Sequence, residues 1–271
     1  MAKPLLPDAL WDRIRPLLPP PPKPKRPDRP GRKRLDDRRC LIGILFVLKT
    51  GIGWEDLPAE MGCGSGMTCW RRLEYWTRRG VWRRLHELLL AELEYAGRID
   101  WSRASIDSAS LRARGGGGDT GPSPVDRRKP GSKHFALVDA DGTPLATRTT
   151  AANRNDVAQM ATVDAVPPVR GKPGRPRRRP DEAYADRGFD SKANREAMRR
   201  RGITPRIARR GEPHGSGLGK VRWVVERTLS WLHNFGRLRV RKDRRAEMHQ
   251  GLLDLAGSIL CFRKLPEGQL C

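Results

Sequence analysis

Through the first third of the chain, apolar residues recur at three- and four-residue intervals, and this spacing predicts helices. Pro7 and Asp8 open a short amphipathic segment, with Asp8 as N-cap and Leu10, Trp11, Ile14, Leu17 and Leu18 along one face. A second helix fits residues 35–50 and stops at the Gly51-Ile52-Gly53 turn. A third begins near Ser65, after the turn-rich stretch 58–64, and a fourth covers 81–95 with Val81, Trp82, Leu85, Leu88, Leu89 and Leu93 on its apolar side. Helix, glycine-containing turn, helix gives this region, 1–97, a helix-turn-helix-like outline.

The pattern changes after Ile99. Short β-prone runs follow at 105–111, 134–138 and 145–150, and Asp139-Ala140-Asp141-Gly142 between the last two is a hairpin signal. Asp139 and Asp141 therefore read as turn residues. The loop 112–133 contains Gly115 to Gly118 but no phosphate-cradling G-x-x-x-x-G-K-[ST] pattern, so it reads as flexible chain. Beyond a second basic loop, 169–180, come a strand at 183–186, a helix at 191–201, a strand at 203–207, a long helix at 221–235, a cationic run at 237–245 and an apolar helix at 248–262. Strand, hairpin, strand, helix, strand, long helix is the order of a ribonuclease H-like α/β domain. The expected division is an all-helical region at 1–97, with a proline- and arginine-rich linker at 19–34, and an α/β catalytic domain at 98–265.

Charge narrows the partners. The 271 residues carry 55 Lys plus Arg against 31 Asp plus Glu, a net +24, which attracts polyanions along the whole chain. The linker, PPPPKPKRPDRPGRKR, stays extended and either lies along phosphates or is simply solvated. In MTCWRRLEYWTRR, 67–79, arginines such as Arg71 and Arg72 alternate with Trp70, Tyr75 and Trp76. That suits a helix presenting cations to DNA, and an ordinary buried aromatic stripe explains it equally simply. The cysteines are five in number with no Cys-x-x-Cys pair, which leaves a zinc site unsupported. No apolar run approaches the roughly 20 residues needed to cross a bilayer. These features predict a soluble, cytoplasmic, nucleoid-associated protein with no membrane partner.

Three acids from distant parts of the chain are candidates for metal-assisted phosphoryl transfer, which needs hard oxygen ligands converging on one spot. Asp107 lies within the first strand of the α/β part, and Asp186 closes a later strand just before Arg187-Gly188-Phe189. Glu226 falls on a polar face of the long helix with Arg222, Ser230, His233 and Arg237, opposite the stripe Val225, Leu229, Leu232. On pattern alone Glu226 is either catalytic or half of an i,i+4 salt bridge with Arg222.

Three blocks resemble the DDE transposases of bacterial insertion sequences: Ile106-Asp107-Ser108, then 185–191 (ADRGFDS), then 222–228 (RWVVERT) followed by Trp231-Leu232. The likeness extends over roughly residues 5 to 265. It implies that Asp107, Asp186 and Glu226 bind two Mg²⁺ ions, with Mn²⁺ able to substitute, for metal-dependent cleavage at terminal inverted repeats and strand transfer into target DNA. It also implies a homodimer on paired ends of double-stranded DNA. Many members carry Tyr seven residues before the Glu and Lys seven after it, where this chain has Gly219 and His233. His233 with Arg222, Arg237, Arg239, Arg241, Lys242, Arg244 and Arg245 is the expected DNA-contacting set, beside Arg71 and Arg72. The rival expectation is a non-enzymatic, transposase-derived DNA-binding protein; an RNA-binding basic protein is disfavoured because 8 Trp, 5 Phe and 3 Tyr fall mostly in the helical half.

Overall fold

The computed structural model describes residues 4–22, 33–171, 173–209, 211 and 219–269, so the middle of the proline-rich linker lies outside the described residues. Helix α1 (Asp8–Ile14) starts directly after Pro7, and Asp8 is its first helical residue rather than its cap; its carboxylate instead pairs with Arg38. Helix α2 (Asp37–Thr50) is capped by Asp36, whose side chain accepts from the Arg39 amide at 3.0 Å, and it ends at Gly51, where φ is 76° and glycine is favoured. Ser65 caps α3 (Gly66–Arg78) through the Thr68 amide at 3.2 Å, and α4 (Val81–Tyr95) follows the left-handed Gly80. The connection between α2 and α3 spans residues 51–65 and tucks Trp54 and Leu57 into the core. It is longer than the short turn of a helix-turn-helix, whereas α3 and α4 are joined by Arg79 and Gly80 alone.

The α/β part begins with β1 (Arg103–Ala113), then the two-residue β2 (Gly121–Pro122), β3 (Pro130–Asp139) and β4 (Pro144–Ala151). Short α5 (Ala161–Asp164), β5 (Glu182–Ala185), α6 (Lys192–Arg200) and β6 (Thr204–Ile207) come next. Then follow α7 (Gly219–His233), α8 (Gly236–Arg239), β7 (Val240–Arg241), α9 (Ala246–Phe262) and α10 (Pro266–Gln269). The strands run β4-β3-β1-β5-β6, with β1, β3 and β4 antiparallel and β5 and β6 parallel to β1; β2 extends the β3 edge and β7 the far end of β1. This mixed order is ribonuclease H-like. The loop expected at 112–133 is thus partly strand, since β1 and β3 extend into it.

The hairpin turn forms as its sequence requires. Asp139 is buried, and its Oδ1 accepts from the Asp141 amide at 3.0 Å and the Thr143 amide at 2.6 Å, while Gly142 takes φ 83°. Helix α7 packs its Val224, Val225, Leu229 and Leu232 against β1 and β3, and α9 runs across β4 and against α3 and α4. One continuous apolar cluster, from Leu6 to Leu265, therefore joins the helical region to the sheet. Each of the buried leucines of α9, such as Leu252 and Leu255, contributes on the order of 1.5–3 kcal/mol relative to exposure.

Candidate active site

The sheet itself brings two of the three acids together. Strands β1 and β5 are parallel and in register through Ser105 and Tyr184, so the next step of two residues along each strand arrives at Asp107 and Asp186. Asp186 stands where β5 ends, and its Oδ1 accepts from the Gly188 amide at 2.9 Å, which fixes the carboxylate at the mouth of the strand. The Oδ1 of Asp107 accepts from the Ser108 amide at 2.7 Å, and its Oδ2 from Arg222 Nη2 at 2.7 Å. Burial pushes the Asp107 carboxyl above its ordinary range; the Arg222 guanidinium and the Ser108 amide work against that, and the negative charge of Asp186 adds to it.

Glu226 is placed differently. It lies exposed on α7, one turn beyond Arg222, and Arg222 pairs with Asp107 rather than with Glu226. The i,i+4 salt bridge that the sequence allowed is therefore absent, because a half-buried carboxylate across the helix–sheet interface outcompetes an exposed one. Among the described residues no group of three or more Asp, Glu, His or Cys side chains is arranged to hold a metal ion. The structure thus unites Asp107 and Asp186 and leaves Glu226 on the adjoining helix.

Two features beside the site were not assigned a role from the sequence. Asp156 bonds Lys133 Nζ at 2.8 Å, and a methyl placed on Gly188 would lie 3.0 Å from Asp186 Oδ1 and 3.1 Å from Asp156 Oδ2, so both acids flank the same glycine. On the outer side of α7, Trp223 (50 % exposed) and Trp231 (36 %) sandwich the Arg227 guanidinium at 4.5 and 4.6 Å. Helical spacing alone does not distinguish exposed tryptophans from core ones.

The candidate cations divide sharply. Arg71, Arg239, Lys242 and Arg244 keep their side chains exposed, Lys242 donating to the Gly51 carbonyl at 2.6 Å. Arg72 is corrected to an internal residue: it is buried, paired with Asp37, stacked on Trp76, and its pKa is drawn down to about 10 by desolvation. Arg237 is likewise internal, making a two-pronged pair with Asp243 at 3.0 and 2.9 Å and donating to the Ile52 carbonyl at 2.8 Å. Arg241 is fully buried and binds the Asp119 carbonyl at 3.0 Å, Ser132 Oγ at 2.8 Å and the Asp243 carbonyl at 2.9 Å. Guanidiniums satisfied in this way cannot also reach a phosphate. Arg245 is engaged by Glu74 and Glu247, and His233 lies 3.2 Å from the buried His134, which also contacts His249 at 2.8 Å.

Residues 102–260 match the family model described as "Transposase DDE domain", and residues 6–86 match that of "Putative transposase of IS4/5 family". The chain belongs to the DDE transposase family. It is 56% identical over 147 residues to a putative transposase for insertion sequence element IS402 of Burkholderia cepacia, covering 54% of this chain and 70% of that one. An uncharacterized 16.2 kDa protein of the same insertion element and organism is 61% identical over 130 residues, 48% of this chain and 88% of its own length. The solved Mos1 strand transfer complex overlaps 83% of this chain and 76% of its own at 10% identity and a TM-score of 0.27. The protein is a DNA transposase, and DDE transposases generally use divalent metal ions. No helix among the described residues is long and apolar enough to cross a membrane.

Proposed function

We propose that this transposase cuts and joins DNA at the floor formed by Asp107 and Asp186, with Glu226 of α7 as the third metal-binding acid. The observation that supports the reading is the β1–β5 register, which brings the backbones of Asp107 and Asp186 onto adjacent positions two residues past the last pair, with the Asp107 carboxylate largely buried and paired with Arg222. Hard carboxylate oxygens suit Mg²⁺ or Mn²⁺, and a pair of such ions would activate the attacking oxygen and stabilise the departing one at a phosphodiester. Asp107 and Asp186 are fixed before substrate arrives, Asp107 by the Ser108 amide and Asp186 by the Gly188 amide. Glu226 projects from the helix packed on β1, where it faces solvent and the incoming duplex.

The exposed Arg71, Arg239, Lys242 and Arg244 position the duplex by its phosphates, and the helical region 1–97 supplies a second contact area beside the domain at 98–265. In this reading the substrate is the terminal inverted repeats of an insertion sequence and then target DNA, engaged by a homodimer on paired ends in the bacterial nucleoid.

Linear DNA bearing the element's own terminal repeats, incubated with Mg²⁺ or with EDTA, tests the assignment. Cleavage at the repeat boundary should require the metal, and Glu226→Gln should abolish it while gel-shift binding survives. Equal nicking by both proteins would remove Glu226 from the mechanism, and binding without any cleavage by the wild type would favour the non-enzymatic DNA-binding alternative.

A further inference from the structure

We propose that Cys40 and Cys69 are a redox pair, which hydrogen peroxide converts to a disulfide that staples α2 to α3. The pair lies in the helical region and takes no part in the candidate active site.

Both thiols are free and buried, and they occupy matching positions on two helices. The Cys40 amide donates to the Asp36 carbonyl at 3.1 Å and the Cys69 amide to the Ser65 carbonyl at 3.1 Å, so each cysteine closes the first turn of its helix onto the capping residue. The positive end of a helix favours a thiolate at such a position. Close approach is the other condition for a disulfide, and Gly43, one turn after Cys40, provides it. A methyl placed on Gly43 would lie 2.7 Å from Cys69 Sγ. Glycine weakens a helix interior, and here it leaves room for the Cys69 sulfur on the face of α2 that bears Cys40. The Cys40 thiol donates to Cys69, whose own thiol donates to the Cys63 carbonyl at 3.3 Å. The Cys63 thiol turns instead to the Met61 carbonyl at 3.5 Å, so a third cysteine stands beside the pair without entering it.

The contact is asymmetric. The hydrogen bond from Cys40 draws the Cys69 thiol below its ordinary range against the opposing effect of burial, while the same bond, with burial, pushes Cys40 up. Cys69 therefore reacts first. Its thiolate attacks a peroxide oxygen, the S–O bond forms as the O–O bond breaks, and the expelled hydroxide takes up the proton that the thiol gave away and leaves as water. Cys40 sulfur then attacks the sulfenic sulfur of Cys69. The S–S bond forms, the S–O bond breaks, and the departing hydroxide carries off the Cys40 proton as a second water, so two thiols give up two electrons and one peroxide accepts them. Peroxide enters by local opening of the 62–64 turn, where Gly62 and Gly64 take φ 64° and 74° and the Cys63 carbonyl lies against the pair. The staple fixes α3, which carries the exposed Arg71, to α2.

The test treats the reduced full-length protein with hydrogen peroxide, blocks the remaining thiols, and reads mass, tryptic map and thermal melt. Wild type should lose two hydrogens and show peptide 40–49 joined to peptide 50–71, and dithiothreitol should reverse both changes. The melting temperature of the oxidised form should rise by about 5–10 °C, as expected for closing a loop of about 30 residues. Peptide 50–71 holds both Cys63 and Cys69, so Cys63→Ala is included and should form the same cross-link. Cys40→Ala should leave a sulfenic acid at Cys69 that dimedone traps, and Cys69→Ala should give neither product. Melts establish which variants are folded, and the wild-type map stands without them. Absence of the cross-link in folded wild type, its loss in folded Cys63→Ala, or a cross-link that leaves the melting temperature unmoved overturns the inference.

Discussion

The two sides of the candidate site are held by different forces. On the sheet side, Asp107 lies in β1 and Asp186 directly after β5, two residues past the last paired positions, Ser105 and Tyr184, so strand pairing sets the spacing of their backbones. On the helix side, Glu226 depends on how α7 is docked, and that docking rests on an apolar stripe plus a few polar clamps. Thr228 Oγ donates to the Gly142 carbonyl at 2.9 Å, Arg227 donates to the Asp141 carbonyl at 2.7 Å, and the His233–His134–His249 chain ties the end of α7 to β3 and α9. Just beyond α7, Arg237 with Asp243 anchors the following turn to the Ile52 carbonyl. Side-chain docking tolerates shifts that strand pairing forbids, so the sheet offers a preformed floor and the helix an adjustable wall.

The largest expected effect comes from cutting the helix-side anchor. Arg237→Ala leaves Asp243 buried without its partner, and should lower stability by about 3–5 kcal/mol, read as a shift in the denaturation midpoint. A loss comparable to a surface substitution, below about 0.5 kcal/mol, would show that α7 does not depend on this clamp.

Acid should loosen the same side. Burial, reinforced by neighbouring positive charge, holds the His134 imidazole well below its ordinary range and brings His249 down to about 3; burial likewise lowers His233 and His86. Below about pH 6.5 the unfolded chain takes up protons at these positions that the folded chain refuses, so stability falls as pH drops, by about 1.4 kcal/mol per pH unit for each such proton. Asp254 acts in the opposite sense, since burial raises its carboxyl to about 6 and its protonation favours the fold. Burial raises Asp107 and Asp139 in the same sense as Asp254, and the four imidazoles outnumber these three acids between about pH 6.5 and 5, so the melting temperature should fall over that interval. His249→Gln should flatten the decline; an unchanged slope would mean that this imidazole titrates normally in the folded protein.

The smallest effect concerns the exposed cations. Arg244→Gln should weaken duplex binding only a few-fold and reduce the salt dependence of affinity by about one unit of slope, leaving stability unchanged. Arg241→Gln should instead destabilise the protein, because its guanidinium holds the 118–119 segment through backbone carbonyls. If the two variants behaved alike in melts, the division between surface and internal arginines would be mistaken.

Much of the fold was legible because its signals are local. The helix start near Ser65, the stop at Gly51, the Asp139–Gly142 turn and the periodicity of α4 and α9 each depend on residues within a few positions. The cationic run 237–245 was harder to read, since Arg237, Arg241 and Arg244 have the same residue type and differ only in what surrounds them after folding. The same holds for Arg72 beside Arg71: a one-residue step along a helix turns one side chain inward and its neighbour outward.

The sequence by itself determined the order of strands and helices and the positive field, and it nominated three candidate acids, because each is a property of the chain or of short stretches of it. Which cations stay free for DNA, that Arg222 reaches Asp107 rather than Glu226, and that Asp156 lies beside Asp186 were decided only in three dimensions. Those outcomes depend on burial and, for Arg72, Arg222 and Asp156, on partners at least thirty residues away in the chain.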